Sequence, residues 1–188
     1  SAYSLNTGDN VAAIKFATEF GELIKNKYGE RNVEYVMSLV ERGDAKSNLR
    51  QDKEAIELLK KAYDIFLSID IKESELSEND YYLYYLMILS DLGNAYLCIG
   101  YYQEGNSLIE RSLMLLEEHR SIFGDDFNML YANTLTNIVA TCSAVGNYSQ
   151  SLVYGSKCLS FINDNNVKMP NNIAALLYLN IGGALFFT

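Results

Sequence analysis

The sequence is poor in the residues that most often build metal sites. Its 188 residues include a single histidine, His119, and no tryptophan. One histidine cannot supply the several nitrogen ligands of a common zinc site, and the three cysteines form no CxxC or Cys/His pattern. We therefore expect no metal and no cofactor. We interpret Cys98, Cys142 and Cys158 as small buried or half-buried apolar residues.

The scarcity of histidine also argues against catalysis. His119 closes the segment LLEEH at the end of a predicted helix, where a cationic side chain interacts favourably with the helix dipole. A cysteine nucleophile needs a neighbouring base, and nothing in the sequence places a cysteine beside His119. We expect that this segment is not an enzyme.

An excess of basic residues is missing as well. The sequence has 24 acidic and 15 basic residues and a formal net charge of −9, whereas a nucleic-acid-binding domain usually carries a basic patch. No run reaches the roughly 18 apolar residues of a membrane helix, and the N-terminus lacks the apolar segment of a signal peptide. We therefore expect no nucleic-acid and no membrane partner. A cytoplasmic location is expected, and a processed secreted or periplasmic form would also fit this composition.

Proline is almost absent, and helical periodicity extends through nearly the whole sequence. The segment EAIELLKKAYDIFLSI has one apolar stripe, formed by Ile56, Leu59, Tyr63 and Phe66. On its other side, Glu57 and Lys61 are spaced for an i,i+4 ion pair. The segment SEND at 77–80 is typical of a capping box that opens a helix. The pattern predicts eight helices, at 10–27, 32–48, 52–70, 79–99, 102–120, 127–145, 148–163 and 171–187.

The predicted helices repeat in pairs. The segment LSDLGNAYLCIGYYQEGNSLIERSL aligns with LTNIVATCSAVGNYSQSLVYGSKCL, so that Leu89 matches Leu135 and Gly100 matches Gly146. Such self-similarity is typical of arrays in which each helix pair stacks on its neighbours. We expect a single array over 1–188. It comprises the second helix of a partial repeat (10–27), three full repeats (32–70, 79–120 and 127–163) and the first helix of a truncated repeat (171–187).

Glycines inside the predicted helices indicate helix crossings. In the alignment of repeats, Gly43, Gly93 and Gly182 share a place midway along a first helix, and Gly105 lies on a second helix. A glycine inside a helix costs about 1 kcal/mol relative to alanine. Because small residues let two helix axes approach, closer packing can offset this cost. We therefore expect these glycines where two helices lie close together.

Several segments carry a family resemblance. LGNAYLCIGYYQEG and EAIELLKKAYDI resemble tetratricopeptide (TPR) repeats. KYGERNVEYVMSLV and IFGDDFNMLYANTLTNI are similar to the long repeats of kinesin light chains, which also occur in bacterial multidomain proteins, some of them ending in a caspase-like protease domain. The resemblance implies an all-α fold, a right-handed α-solenoid of stacked antiparallel helix hairpins.

The resemblance also implies which side chains line the concave side of the array. The helix YYLYYLMILSDLGNAY places Tyr85 and Tyr96 on the stripe that faces the partner helix, and we expect these two in the core. Asn137 and Asn180 match the asparagine of kinesin-light-chain repeats, which implies contact with a peptide backbone. The candidate partner-binding residues are Glu41, Asp44, Tyr84, Met87, Asp91, Asn94, Asn133, Asn137 and Asn180.

These features favour a non-catalytic scaffold that binds a protein or an extended peptide. Because Glu41, Asp44 and Asp91 lie early in the array and the asparagines later, we expect a partner that is neutral to basic. One alternative is a regulatory or sensor array that controls an effector domain outside this segment, for example a caspase-like protease or a transcription factor. Another alternative is an oligomerisation platform.

The last predicted helix, in AALLYLNIGGALFFT, is apolar almost to its end. Repeat arrays usually need polar terminal caps, and this helix has none. We expect that further repeats follow Thr188 in the native protein. We also expect that this chain hides the apolar surface by self-association through the uncapped C-terminal helix, or by local rearrangement.

Overall fold

The structure, a computed structural model, describes residues 7–72 and 74–188, and within these ranges it contains helices and turns without a strand. The eight predicted helices are all present, with ends that differ from the predicted ones by at most three residues. A short helix and a 3-10 turn between the fifth and sixth of them were not predicted. The helices are α1 (Thr7–Tyr28), α2 (Val33–Asn48), α3 (Asp52–Leu67), α4 (Glu78–Cys98), α5 (Tyr102–Glu118), α6 (Arg120–Phe123), α7 (Phe127–Ala144), α8 (Tyr148–Asp164) and α9 (Asn171–Phe187), with the 3-10 turn at Gly124–Asp126.

The chain forms two compact units. Unit 1 ends at Tyr101, and unit 2 runs from Tyr102 to Thr188. Their boundary falls inside the repeat predicted over 79–120, so the grouping of the helices into repeats stays a prediction.

Polar caps explain where several helices begin. Before α4, the Ser77 hydroxyl accepts a hydrogen bond from the Asp80 N–H at 3.1 Å and donates one to the Asp80 carboxylate at 2.6 Å. This arrangement confirms the helix start predicted from SEND. Before α2, the Asn32 side chain accepts from the Tyr35 N–H at 3.1 Å. Each cap satisfies an amide that has no partner in the first turn of the helix.

In unit 1, α2 packs against α1 and α3, and α4 packs against α3. Phe66 of α3 is fully buried, and its ring lies 4.7 Å from that of Tyr81 and 5.8 Å from that of Tyr85. Gly43 lies directly against Leu59, so the prediction of a close helix approach there is confirmed. The largest fully buried side chains of this core are Val36, Leu39, Val40, Leu59, Phe66, Ile88 and Leu89.

In unit 2, α7 packs against α5, α8 and α9, and α8 packs against α9. Gly155 permits the last of these contacts, because a Cβ atom at that position would lie 2.7 Å from Ile181 Cγ1. Gly182, by contrast, has no atom within 4 Å of the position its Cβ would take. The expectation of a helix crossing at Gly182 was therefore wrong for the described chain, in which no second helix packs there.

Three other expectations from the sequence also need correction. Tyr85 is buried, but Tyr96 is only half-buried, with its ring 6.2 Å from that of Tyr101. Cys98 is exposed, whereas the other two cysteines are buried as expected. Lys61 does not pair with Glu57. Its ammonium lies 3.1 Å from the Glu30 carboxylate, because the packing of α3 brings it to the turn between α1 and α2.

Candidate functional site

One side of α2 carries polar side chains while the other side is buried. Residues spaced by three and four positions share one face of a helix, and on α2 this spacing selects a row that contains three exposed carboxylates, Glu34, Glu41 and Asp44. Val36, Val40 and Gly43 lie off this row and are buried. The row faces solvent because the residues on the opposite face of α2 are apolar and fill the core. Its members are Glu34, Met37, Glu41, Asp44 and Asn48.

The candidate residues on α4 form a second row with the same spacing. Tyr84, Met87 and Asp91 are half-buried, and Asn94 is exposed. Six of the nine candidate residues therefore lie in unit 1, on the accessible faces of α2 and α4.

Three carboxylates of unit 1 influence one another electrostatically, and we call them the acidic stripe: Glu41, Asp44 and Asp91. Burial, and next the Asp44 carboxylate, raises the pKa of Asp91 to about 8. One oxygen of Asp91, Oδ2, is buried and has no hydrogen-bond partner within the described ranges. Loss of hydration and the Glu41 carboxylate also raise the pKa of Asp44, although this side chain remains exposed. Asp91 is therefore the member whose ionisation is most strongly opposed.

An open groove of about 910 Å³ in unit 1, here called the α1–α2 groove, includes two of the candidate residues, Glu41 and Tyr84. Phe16 and Phe20 of α1 form its apolar wall and are 66% and 48% exposed. Its remaining lining comes from α1, from the turn after it, from α2 and from the segment between α3 and α4. Those residues are Ala13, Ala17, Tyr28, Arg31, Asn32, Val33, Glu34, Met37, Ser38, Ile69, Ser74, Glu75 and Leu76.

The rim of the α1–α2 groove is acidic. Glu34, Glu41 and Glu75 are exposed, and none of them forms an ion pair within 4.0 Å in the described part of the chain. Glu34 has only a more distant interaction with Lys27. The guanidinium of Arg31 donates a hydrogen bond through Nε to the carbonyl of Ser68 at 2.7 Å, which holds the end of α3 beside the groove. The groove can therefore offer both apolar surface and negative charge to a ligand.

The other three candidate residues lie in unit 2. Asn133 and Asn137 of α7 are half-buried, and Asn133 Oδ1 has no hydrogen-bond partner among the residues described. Asn180 of α9 donates from Nδ2 to the carbonyl of Leu176 at 2.8 Å. The main-chain carbonyl of Asn180 accepts a hydrogen bond from the Ser143 hydroxyl at 3.4 Å. Thr136 lies three residues after Asn133 on α7. Unlike the two asparagines it is fully buried, and its hydroxyl donates a hydrogen bond to the carbonyl of Ala132.

The residues of the α1–α2 groove that were not recognised from the sequence include its aromatic wall and two rim carboxylates: Phe16, Phe20, Glu34 and Glu75. Phe16 and Phe20 do have helical i,i+4 spacing, which could have indicated an apolar stripe on α1. That the stripe is left exposed depends on which helices pack against α1, and this is a tertiary property. Glu75 has a positive φ of 57° in the segment before α4, which local pattern does not reveal.

Metal-binding and membrane-spanning features are not found in the described ranges. Within residues 7–72 and 74–188, no group of three or more histidine, cysteine, aspartate or glutamate side chains could hold a metal ion. Among the described helices, none is both long and apolar enough to cross a membrane. His119 directly follows α5, and its backbone N–H donates a hydrogen bond to the carbonyl of Leu115 at 3.0 Å.

Comparison with known proteins places this arrangement of helices in a structural class. No protein-family model and no curated protein matches the sequence. Among solved structures, the chain is similar to the nearly identical TPR-like repeats of a candidate kinesin light chain from Podosopora anserina, with a TM-score of 0.67, 16% identity, and coverage of 96% of this chain and 84% of that one. A variant of those repeats in which one glutamine is replaced by methionine gives the same values. BtubC (BKLC) from P. vanneervenii matches with a TM-score of 0.62 and 15% identity, over 95% of this chain and 70% of that one. The chain therefore has the fold of TPR-like helical repeats.

Proposed function

We propose that the chain is a non-catalytic interaction scaffold that binds a segment of another protein on the accessible faces of α2 and α4. The observation that carries this proposal is the convergence of exposed carboxylates with accessible apolar side chains in unit 1. Glu41 and Tyr84 line one groove, and the Glu41 carboxylate acts on Asp44, which acts on Asp91. The TPR-like fold supports the proposal, because stacked helical repeats present extended binding surfaces.

The partner that suits this surface is neutral to basic. The exposed carboxylates of Glu41 and Asp44 would repel an acidic segment, whereas a lysine or arginine would relieve the repulsion that opposes the ionisation of Asp91. Because the charges at the surface are exposed, the attraction should weaken as salt is added, over a screening length of about 8–10 Å near physiological ionic strength.

Considered by itself, unit 2 offers a different type of contact through its asparagines. An amide side chain offers both a donor and an acceptor to a peptide backbone. The Nδ2 group of Asn180 donates one hydrogen bond to the Leu176 carbonyl, so its second N–H and its Oδ1 acceptor would meet a partner.

A peptide-display selection on the whole 188-residue chain tests the proposal. Peptides enriched from a random library should lose about tenfold or more in affinity, about 1.4 kcal/mol, when Glu41→Gln, Asp44→Asn and Asp91→Asn are combined. A matched control combines Glu57→Gln, Asp64→Asn and Glu104→Gln, which replaces the same number of carboxylates at exposed positions elsewhere. The proposal is wrong if no peptide is enriched, or if both triple variants bind equally well.

A further inference from the structure

We propose that the α1–α2 groove binds a basic amphipathic helix. This inference rests on the proposed function, and it names the partner class and the place where that partner docks. The groove differs from the acidic stripe because its wall is aromatic and belongs to α1, on which none of the residues proposed above lies.

The groove presents an apolar strip that a ligand could cover. Phe16 and Phe20 are one helical turn apart on α1 and are both exposed, at 66% and 48%. Met37 of α2 and Tyr84 of α4 are half-buried and line the same groove, as does Leu76. Burial of apolar area stabilises a complex by roughly 25 cal/mol per Å² before the costs of association. Large aromatic side chains are also the usual anchors of interfaces.

The amide and serine side chains of the groove already form hydrogen bonds with the protein's own backbone. Asn32 accepts from the Tyr35 N–H, and Ser38 donates to the Tyr35 carbonyl at 2.7 Å. Ser74 donates to the Ile71 carbonyl at 2.7 Å and accepts from the Leu76 N–H at 3.3 Å.

An extended peptide in this groove would therefore find few partners for its backbone amides, and an unpaired buried amide is costly. A helix makes its own backbone hydrogen bonds and needs only side-chain contacts. The groove thus favours a helical ligand, in the way that apolar grooves bind amphipathic helices generally.

The charges of the rim specify the polar side of the ligand. Glu34 and Glu41 are seven residues apart on α2, which is about 10 Å along the helix axis, and Glu75 lies on the segment between α3 and α4. Lysines or arginines two turns apart on the ligand could meet Glu34 and Glu41 together. The apolar side of the same ligand would then face Phe16, Phe20 and Met37.

A second copy of this chain is the strongest competing occupant. Its helix α9 is strongly apolar and exposes Tyr178, Leu179 and Phe186. However, α9 contains no charged residue. It could cover Phe16 and Phe20 but would leave Glu34, Glu41 and Glu75 without counter-charges. Charge complementarity therefore favours a basic helix over α9 of a second copy.

The test uses fluorescence anisotropy with the full chain and three labelled peptides of about 16 residues, the length of α2. The first contains leucine and lysine, patterned so that the leucines share one helical face. The second has the same composition in strict alternation, which does not give an amphipathic helix. The third is the first with glutamate in place of lysine. We expect the first peptide to bind at least about tenfold more tightly than either of the others.

Two pairs of variants locate the binding site. Phe16→Ser with Phe20→Ser removes the apolar wall, and Glu34→Gln with Glu75→Gln removes rim charge without touching the acidic stripe. The matched controls in unit 2 or on α3 are Met114→Ser with Val153→Ser, and Glu57→Gln with Glu104→Gln, all at exposed positions. Each groove variant should weaken the leucine–lysine peptide about tenfold and each control less than about twofold. If Phe16→Ser with Phe20→Ser unfolds α1, Glu34→Gln with Glu75→Gln still tests whether the peptide binds in this groove.

Several results would overturn this inference. Equal binding of the alternating or glutamate peptide would exclude a basic amphipathic helix, and equal loss in groove and control variants would exclude this groove. Self-association that is abolished by Phe16→Ser with Phe20→Ser would identify a second copy as the occupant. If the peptides enriched by display still bind the acidic stripe, only this inference fails. If no peptide of either kind binds, the proposed function fails as well.

Discussion

Gly43 of α2 lies so close to Leu59 of α3 that a Cβ atom at position 43 would stand 2.6 Å from Leu59 Cγ and 2.9 Å from its Cδ2. Leu59 is fully buried and cannot move aside without disturbing the core. Protein interiors are so closely packed that the addition of a single methyl group strains the surrounding side chains. The glycine is therefore a packing requirement of the hairpin formed by α2 and α3, and its cost to the helix is offset by that packing.

Gly43→Ala should destabilise unit 1 despite the better helix propensity of alanine. Overpacking of a core commonly costs about 1–3 kcal/mol, more than the roughly 0.5–1 kcal/mol gained in the helix. Gly182→Ala is the matched control, because Gly182 has open space around it, and it should stabilise α9 by about 0.5–1 kcal/mol. Urea denaturation followed by circular dichroism measures both changes. Equal effects of the two substitutions would contradict the helix approach at Gly43.

Asp91→Asn should remove part of the pH dependence of stability. The pKa of Asp91 is raised from 3.8 to about 8 in the folded chain, so between these values the folded state binds more protons than the unfolded state. Stability from this group is complete below about pH 4 and is lost as the pH rises towards 8. At pH 8 the variant should be more stable than the natural chain by an amount of the order of 1 kcal/mol or more. Asp64→Asn controls for the change in net charge. A stability difference between the natural chain and Asp91→Asn that stays constant from about pH 4 to 8 would show that Asp91 is not coupled to folding.

Phe66→Ala should be among the most damaging substitutions in unit 1. Its side chain is fully buried and contacts the rings of Tyr81 and Tyr85, and such truncations cost about 3–5 kcal/mol. Tyr96→Ala should cost less, about 1–2 kcal/mol, because Tyr96 is only half-buried. Chemical denaturation of both variants tests the order. A larger loss for Tyr96→Ala would place Tyr96, rather than Phe66, at the centre of the core.

The chain should self-associate through α9. Leu179 and Phe186 are 74% and 83% exposed, and an apolar patch of several hundred Å² usually marks an interaction surface. Leu179→Lys with Phe186→Lys should shift the mass measured by sedimentation equilibrium towards the monomer. Val153→Lys, at another exposed apolar position on α8, should leave the mass unchanged. A strictly monomeric natural chain at high concentration would contradict this prediction.

Local features of the chain were predictable because their causes lie within a few residues. The start of α4 follows from Ser77 and Asp80, which are three positions apart and bond to each other. The long helices follow from apolar periodicity sustained over four or more turns. The four-residue helix α6 was missed because one turn is too short to show a period.

Features that depend on tertiary packing were predicted less well. Lys61 pairs with Glu30, which is 31 positions away, although Glu57 is the neighbour that helix geometry suggests. Cysteine is a residue type that is usually buried, but Cys98 lies at the end of α4 and is exposed. The α1–α2 groove exists because Phe16 and Phe20 are left uncovered, and periodicity alone cannot distinguish a covered apolar stripe from an exposed one.

Methionine methyl NMR tests the central claim, that a partner binds the surface of unit 1 formed by α2, α4 and the α1–α2 groove. The five methionines are well placed: Met37 lines the groove and Met87 lies in the candidate row of α4, whereas Met114, Met129 and Met169 belong to unit 2. With 13C-methyl methionine in the full chain, a peptide enriched by display should shift the resonances of Met37 and Met87 and leave those of Met114 and Met169 unchanged. Met129 lies four residues before Asn133 on α7 and reports separately on contact with the asparagines of unit 2. A bound peptide that shifts only Met114, Met129 or Met169 would contradict the account.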